Sequence, residues 1–240
     1  DINEFINYLA VEFYLGNWDW PQNNVKAFRD QNNGRFRFVL FDMDGALNNT
    51  SGISNFMDKQ TYTFDKLYGY DYSTSTTLTN TRLTKEIELV TIVKNLLNNA
   101  TFKKQLVDAM CIIGGSVYTP ERVKSIVDEM ATYLSLGGYV RPYDTANSIK
   151  NTLNSSWNSS VMNHIKNQGL TNATKQSASF GSNISGASIT LNGMAVPTGE
   201  FSGYVFAPVT LKADAPAGYR FIGWKGLSSG NTKPIVSNTD

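Results

Sequence analysis

The chain of 240 residues carries a net charge of +1, with 41% hydrophobic and 17% charged residues, against roughly 25% charged in ordinary soluble domains. Near-neutral charge excludes a bulk field for nucleic acid or an anionic membrane surface, and no stretch approaches the roughly 20 apolar residues of a membrane span. One cysteine, Cys111, and one histidine, His164, exclude an internal disulfide and a cysteine-rich zinc site, and leave few candidates for Ser-His-Asp or Cys-His catalysis. Cys111, inside the apolar run VDAMCIIGG, reads as an inert core thiol, and His164 reads as structural. Asn, Ser and Thr stand where charges usually would, which suits an extracytoplasmic or surface protein. No signal-peptide pattern is present, yet the first residues are already in helical rhythm, so the chain reads as a piece of something longer.

The first predicted element is a helix over 2–15, with Ile2, Phe5, Ile6, Leu9 and Phe13 at helical spacing and Gly16 as its stop. NWDWPQNN reads as a loop by its Asn, Asp and Pro content. NVKAFRD and RFRFVLF read as two short strands joined by QNNG in a hairpin. The second strand is apolar on both faces toward its end, which predicts burial. Residues 49–80 are rich in Asn, Ser, Thr and Tyr and read as a long irregular segment with a short helix, a candidate lid or substrate-side loop. Helices follow: TKEIELVTIVKNLLNN with Ile87, Val90, Val93 and Leu97 on one side; ATFKKQLVDAMCII with Phe102, Leu106 and Met110; TPERVKSIVDEMATYL with Thr119 as N-cap and Pro120 at the first helical position. DTANSIKNTLNSSWNSSVMNHIKNQ gives one or two weaker helices ending near Gly169. At about residue 172 the character changes. TNATKQSASFGSN reads as a linker, and the Gly- and Pro-punctuated remainder as a small β-module of roughly 60 residues.

The chemistry gathers in residues 17–48. RFRFVLFDMDGAL ends an apolar run on Asp42 and Asp44, and two enzyme chemistries use such a pattern. Phosphoryl transfer needs an acceptor hydroxyl oriented by a carboxylate and phosphate charge held on a magnesium ion. Magnesium takes hard oxygen ligands, so a carboxylate and an amide oxygen serve beside the phosphates and water. Here Asp19 is followed five positions on by Asn24, then by a predicted hairpin, then by Asp42 at the strand end. That order matches a kinase catalytic loop, hairpin and metal-binding Asp. The spacing D-x-x-x-x-N is weak by itself; its coupling to a hairpin and a terminal Asp is more specific. A haloacid-dehalogenase-like phosphatase would instead use Asp42 as nucleophile and Asp44 as acid-base. That reading meets Ala46 where Thr or Val is usual, and finds no alternation of strands and helices for a doubly wound sheet. A glycosidase would need a second acidic partner that the sequence does not identify. The bland reading is a polar loop of Asn17, Asp19, Asn23 and Asn24 beside a capped turn. For Trp18 and Trp20, core packing is favoured over a carbohydrate platform.

GNWDWPQNN followed by GRFRFVLFDMDGAL resembles the core motif of the spore-coat protein H (CotH) kinase family: an aromatic-flanked Asn-Trp/Met-Asp, then Pro, then Asn, then a strand closing on Asp-x-Asp. NNATFKKQLVDAM and YTPERVKSIVDEMATYL are similar to the helical lobe of that family. The resemblance covers about residues 1 to 170 and is tightest over 14 to 48. It implies an atypical secreted or surface protein kinase that moves phosphate from ATP to Ser or Thr with Mg2+ or Mn2+. Asp19 would match the catalytic Asp, and Asn24 and Asp42 the metal ligands. Asp44, second of the pair, and Asn23 are further candidates, and nothing rests on Gly45. Nothing before Asn17 can supply a nucleotide-binding lobe, so the chain by itself is expected to bind ATP and transfer phosphate poorly. VTLKADAPAGYRFIGWKG resembles bacterial surface β-repeats, in which Tyr219, Phe221 and Trp224 would mostly be core.

The expected fold is α+β: a mainly helical, protein-kinase-like C-lobe with an embedded β-hairpin over 1–171, then a small all-β, sandwich-like module over 172–240. The expected partners are a protein acceptor or a surface-assembly partner, with glycan contact by the C-terminal module. The alternative class of function is a cell-surface or coat assembly protein without catalysis.

Overall fold

The computed structural model describes residues 1–58, 61–66, 81–225 and 235–237. Its architecture is α+β. Helix α1 (Ile2–Leu15) starts on Asp1, whose carboxylate accepts from the Asn3 and Glu4 amides, and stops at Gly16, which is left-handed at φ 62. The predicted stripe is the buried one except at Ile2, which is exposed. Phe5, Ile6, Leu9 and Phe13 pack into one cluster with Leu106 and Met110 of α4 (Ala100–Ile112) and Val161, Met162 and Ile165 of α7 (Ser155–Asn167). Each such side chain contributes roughly 2 kcal/mol by leaving water, so α1 is held by its tertiary face rather than by propensity. Helix α2 (Gly52–Asp58) brings Ile53 and Phe56 to the same core, and α3 (Glu88–Leu96) brings Val90 and Val93, flanked by buried Ile87 and Leu97. Cys111 is buried there. Desolvation pushes its thiol pKa well up, so it is no thiolate nucleophile.

Helix α5 (Pro120–Leu136) has Thr119 accepting from the Arg122 amide and Pro120 in its first turn. It packs against α6 (Pro142–Thr152). Between α4 and α5 the chain passes through a π-helical turn, Ile113–Val117. His164 sits on α7 with Nδ1 3.2 Å from Ser54 Oγ of α2, far from the acidic loop in sequence and tied to a structural contact.

Strands β1 (Lys26–Phe28) and β2 (Arg37–Val39) form the expected antiparallel hairpin, Lys26 opposite Val39. Burial of β2 is not observed. Phe38 alone packs inward, its ring 4.8 Å from Phe5 and 5.2 Å from Tyr8. Phe36, Leu40 and Phe41 are exposed, because the two-stranded ribbon lies on α1 with one face only. Cations cover part of the other side: Lys26 Nζ stands 3.2 Å from the centroid of Phe41, and the Arg29 guanidinium 5.1 Å from that of Phe36.

Two further segments differ from the sequence reading. Thr84, Lys85 and Glu86, expected to open the helix TKEIELVTIVKNLLNN, instead end strand β4 (Thr81–Glu86), paired antiparallel with β3 (Thr61–Lys66) inside the segment read as irregular. The remainder of that candidate lid, residues 67–80, lies outside the described residues. TNATKQSASFGSN, read as a linker, contains strand β5 (Thr174–Gly181), which pairs along its whole length with β8 (Glu200–Ala207). A second sheet holds β6 (Ser188–Leu191), β7 (Met194–Ala195), β9 (Val209–Asp214) and β10 (Ile235–Ser237) in the order β10-β9-β6-β7, with β10 parallel to β9. Ile189, Leu191, Val205, Val209 and Leu211 make its core together with Ile112 of α4. Of the C-terminal aromatics expected as core, Phe221 and Trp224 are half-buried with their rings edge-on at 5.5 Å, while Tyr219 is 61% exposed.

The β5–β8 ribbon is seamed to the helices. Phe206 enters the helical core, Ser116 Oγ and Thr198 Oγ1 are 2.7 Å apart, and Asn192 Nδ2 donates to the buried Asp108 at 2.9 Å. Glycines make the seam close. A Cβ on Gly203 would stand 2.8 Å from Gly115 Cα, and one on Gly115 would stand 2.3 Å from the Phe201 ring. No described helix is long and apolar enough to cross a membrane.

Candidate active site

The loop after α1 is pinned at its middle. Trp20 is 2% exposed, stacked on Phe56 at 4.9 Å, edge-on to Phe13 at 5.6 Å, and its Nε1 donates to the Tyr8 hydroxyl at 2.6 Å. Pro21 follows through a cis peptide bond and is also buried. Trp18, two residues earlier, is 53% exposed. The two tryptophans therefore divide: Trp20 is the core residue and Trp18 is not. With Trp20 driven inward, Asp19 is left half-exposed at the surface of the loop.

The Asp19 carboxylate is held by two side-chain amides, Asn23 Nδ2 at 2.9 Å on Oδ1 and Asn24 Nδ2 at 3.1 Å on Oδ2. Asn24 Nδ2 also reaches the Asp42 carbonyl at 3.5 Å. The structure thus brings the Asp19, Asn23 and Asn24 side chains together with the backbone of Asp42, 18 residues beyond Asn24. Asn24 and Asp42 both have left-handed backbones, at φ 60 and 55, a region that Asn and Asp tolerate better than most residues. Asp42 is the entry to a 3-10 turn over Met43–Gly45. Asp44, on that turn, is exposed, and no hydrogen bond places it against Asp19.

The turn is pressed against the loop. The Trp18 amide donates to the Gly45 carbonyl at 3.2 Å, and the Leu47 amide to the Leu15 carbonyl at 2.7 Å. A Cβ on Gly45 would stand 3.0 Å from both Asn17 Oδ1 and Trp18 Nε1. Gly45 therefore matters for the close approach of turn and loop, although the sequence reading rested nothing on it. Sequence reasoning also missed Glu12 and the role of Asn17. Glu12 is 1% exposed on the buried face of α1. Its carboxylate oxygen Oε2 accepts from Asn17 Nδ2 at 3.1 Å, and Asn17 Oδ1 accepts from the Asp19 amide at 3.3 Å. Burial raises the Glu12 pKa to about 7, against smaller lowering effects of Asn17 and the nearby Tyr8 hydroxyl. Its other oxygen, Oε1, has no hydrogen bond of good geometry. The signal was there: Glu12 falls between Leu9 and Phe13 in the apolar stripe, where a charge needs a reason.

The kinase reading expected from the sequence implies a divalent cation. The donors here fit one. With Asn24 Nδ2 committed to Asp19, the amide oxygen is the acceptor left over, and the Asp42 side chain is exposed and makes no ion pair among the described residues. Among the described residues no three His, Cys, Asp or Glu side chains gather into a metal cage.

The family model for CotH kinase proteins matches residues 1–169. The chain belongs to the CotH kinase family. The match contains the whole loop, hairpin and Asp42–Gly45 turn, and it supports a kinase-like function for the chain in general. No curated protein and no solved structure matches the chain. Asp42 lies within the residues matched to the CotH kinase family and follows a two-stranded antiparallel hairpin. The phosphatase reading needed a doubly wound sheet, which the described strands do not form.

Proposed function

We propose that these residues form the phosphoryl-transfer site of an atypical, extracytoplasmic protein kinase that moves the γ-phosphate of ATP to a Ser or Thr hydroxyl of a surface or secreted protein. The observation that carries this reading is the Asn24 amide bridging Asp19 and the Asp42 backbone. Asp19 orients the acceptor hydroxyl and takes its proton. The acceptor oxygen bonds to the γ-phosphorus as the bond to the β–γ bridging oxygen breaks, and ADP leaves with that electron pair. Asn23 and Asn24 hold the Asp19 carboxylate in one orientation. Asn24 Oδ1 and the Asp42 carboxylate would hold Mg2+ or Mn2+, with Asp44 beside them on the turn. The ion, when bound, supplies neutralisation of phosphate charge.

The test is phosphate incorporation from ATP and magnesium into dephosphorylated casein and into the natural full-length protein itself. Asp19→Asn and Asp42→Ala are each expected to lower incorporation by at least about 100-fold, with melting temperatures near wild type. Equal incorporation by all three proteins overturns the proposal. A non-catalytic role in surface assembly is the second reading, favoured by the exposed Met130, Tyr133, Leu136, Tyr139 and Val140 at the α5–α6 corner, with glycan contact at exposed Tyr219. Self-association or glycan binding in a protein that incorporates no phosphate supports it.

A further inference from the structure

We infer that Glu12 is a positioning residue of the transfer site: its carboxylate sets the sense of the Asn17 amide, and Asn17 in turn holds the Asp19 backbone and the Asp42–Gly45 turn in register. The inference rests on the kinase reading above for its activity arm only. Asn17 is 5% exposed and uses both ends of its amide. Nδ2 donates to Glu12 Oε2 at 3.1 Å and lies 3.6 Å from Met43 Sδ, between the two Asp residues of the turn. Oδ1 accepts from the Asp19 amide at 3.3 Å, closing a local turn at the residue that must present a carboxylate.

An amide can be inserted either way round, and what decides is the partner's chemistry. A carboxylate only accepts. It forces Nδ2 toward itself and Oδ1 toward the Asp19 N–H. A protonated acid or a glutamine offers donors as well, and so permits the reversed amide. That would set Asn17 Nδ2 against the Asp19 N–H, donor against donor. Glu12 is placed to do this because α1 aligns Tyr8 and Glu12 one turn apart on the face that meets the loop. Tyr8 fixes Trp20 and Glu12 fixes Asn17. No ion pair to a cation holds Glu12 among the described residues, and the titratable group facing it is the Tyr8 hydroxyl, whose own pKa is raised by burial and by Glu12. The elevated Glu12 pKa puts the acceptor-only form in play near neutrality.

The experiment compares wild type, Glu12→Gln, Asn17→Ala and the double variant of the natural full-length protein. Hydrogen exchange at pH 8 is expected to be at least tenfold faster over residues 17–24 in Glu12→Gln, with α4 and α7 unchanged, and the Asn17→Ala background is expected to abolish the further effect of Glu12→Gln. In casein phosphorylation, kcat of Glu12→Gln falls about tenfold while KM for magnesium-ATP stays within about twofold, and the rise of wild-type kcat through about pH 7 is absent from the variant. Unchanged exchange over 17–24, or exchange raised equally in α4 and α7, overturns the inference. So does a Glu12→Gln kcat that keeps the wild-type pH profile. A wild type that transfers no phosphate defeats the kinase reading alone, since the exchange arm still decides the role of Glu12.

Discussion

Glu12 sets activity and stability against each other. Its carboxyl has an unfolded pKa near 4.5 and a folded value of about 7, raised first by desolvation. Below the lower value both states carry the proton and no stability is lost. Between the two, the unfolded chain releases its proton while the folded chain keeps it, so stability falls as pH rises. Above about 7 the loss is complete, at most roughly 3 kcal/mol for this shift. Wild type should therefore melt lower at pH 8 than at pH 5, and Glu12→Gln should lack that fall and exceed wild type at pH 8. Thermal melts of both proteins at the two pH values check this; parallel curves would remove burial of the charge as the cause. A variant that is more stable yet less active is what a strained, functional carboxylate gives. The other revealing residues are Trp18 and Trp20. Two identical side chains flank Asp19, and only the one above Tyr8, Phe13 and Phe56 is core. No sequence pattern separates them, because the partners of Trp20 come from two different helices.

Among the elements, the helices were the readable part. Periodicity, the Gly16 stop and the Thr119-Pro120 start are local signals, and the buried residues Val90, Val93, Leu106 and Met110 fall where the stripes put them. The order of loop, hairpin and Asp-x-Asp was equally local, which is why Asp19, Asn24 and Asp42 could be picked out together. What could not be read were elements defined by distant partners. Lys175, Ser177 and Ser179 of β5 look like linker residues; β5 is a strand because β8 lies beside it, Thr174 opposite Ala207 through Gly181 opposite Glu200. The exposure of β2 escaped for the converse reason: its apolar residues are covered by cations and by one face of α1, not by a second layer. The β8 contact with the π-helical turn is testable at Gly203. Gly203→Ala puts a Cβ 2.8 Å from Gly115 Cα and 3.0 Å from Asn158 Nδ2. Backbone cannot give as a flexible side chain does, so the expected loss is about 1–3 kcal/mol by urea unfolding. A variant as stable as wild type would show that the ribbon can stand off the helices.

The whole molecule is a helical core with a β-layer built onto its side rather than hung from it. Phe206 and Ile112 cross the boundary in opposite directions, one from the ribbon into the helical core and one from α4 into the sheet core. Ending the chain at residue 171 strips both contacts along with the Asp108–Asn192 and Ser116–Thr198 bonds. Loss of two such side chains is worth roughly 4 kcal/mol, or a fall in melting temperature on the order of 10 °C. Calorimetry of residues 1–171 against 1–240 measures it, and equal midpoints would make the β-layer a passenger. The same seam has a consequence for birth of the protein on the ribosome. Chains fold as they emerge, N-terminal segments first, but here the plug for the helical core lies more than thirty residues beyond the last helix, at Phe206. While the ribosome translates that stretch, the side of α4 that will meet β8 waits bare, and the nascent chain stays open to chaperones until the ribbon arrives to seal it.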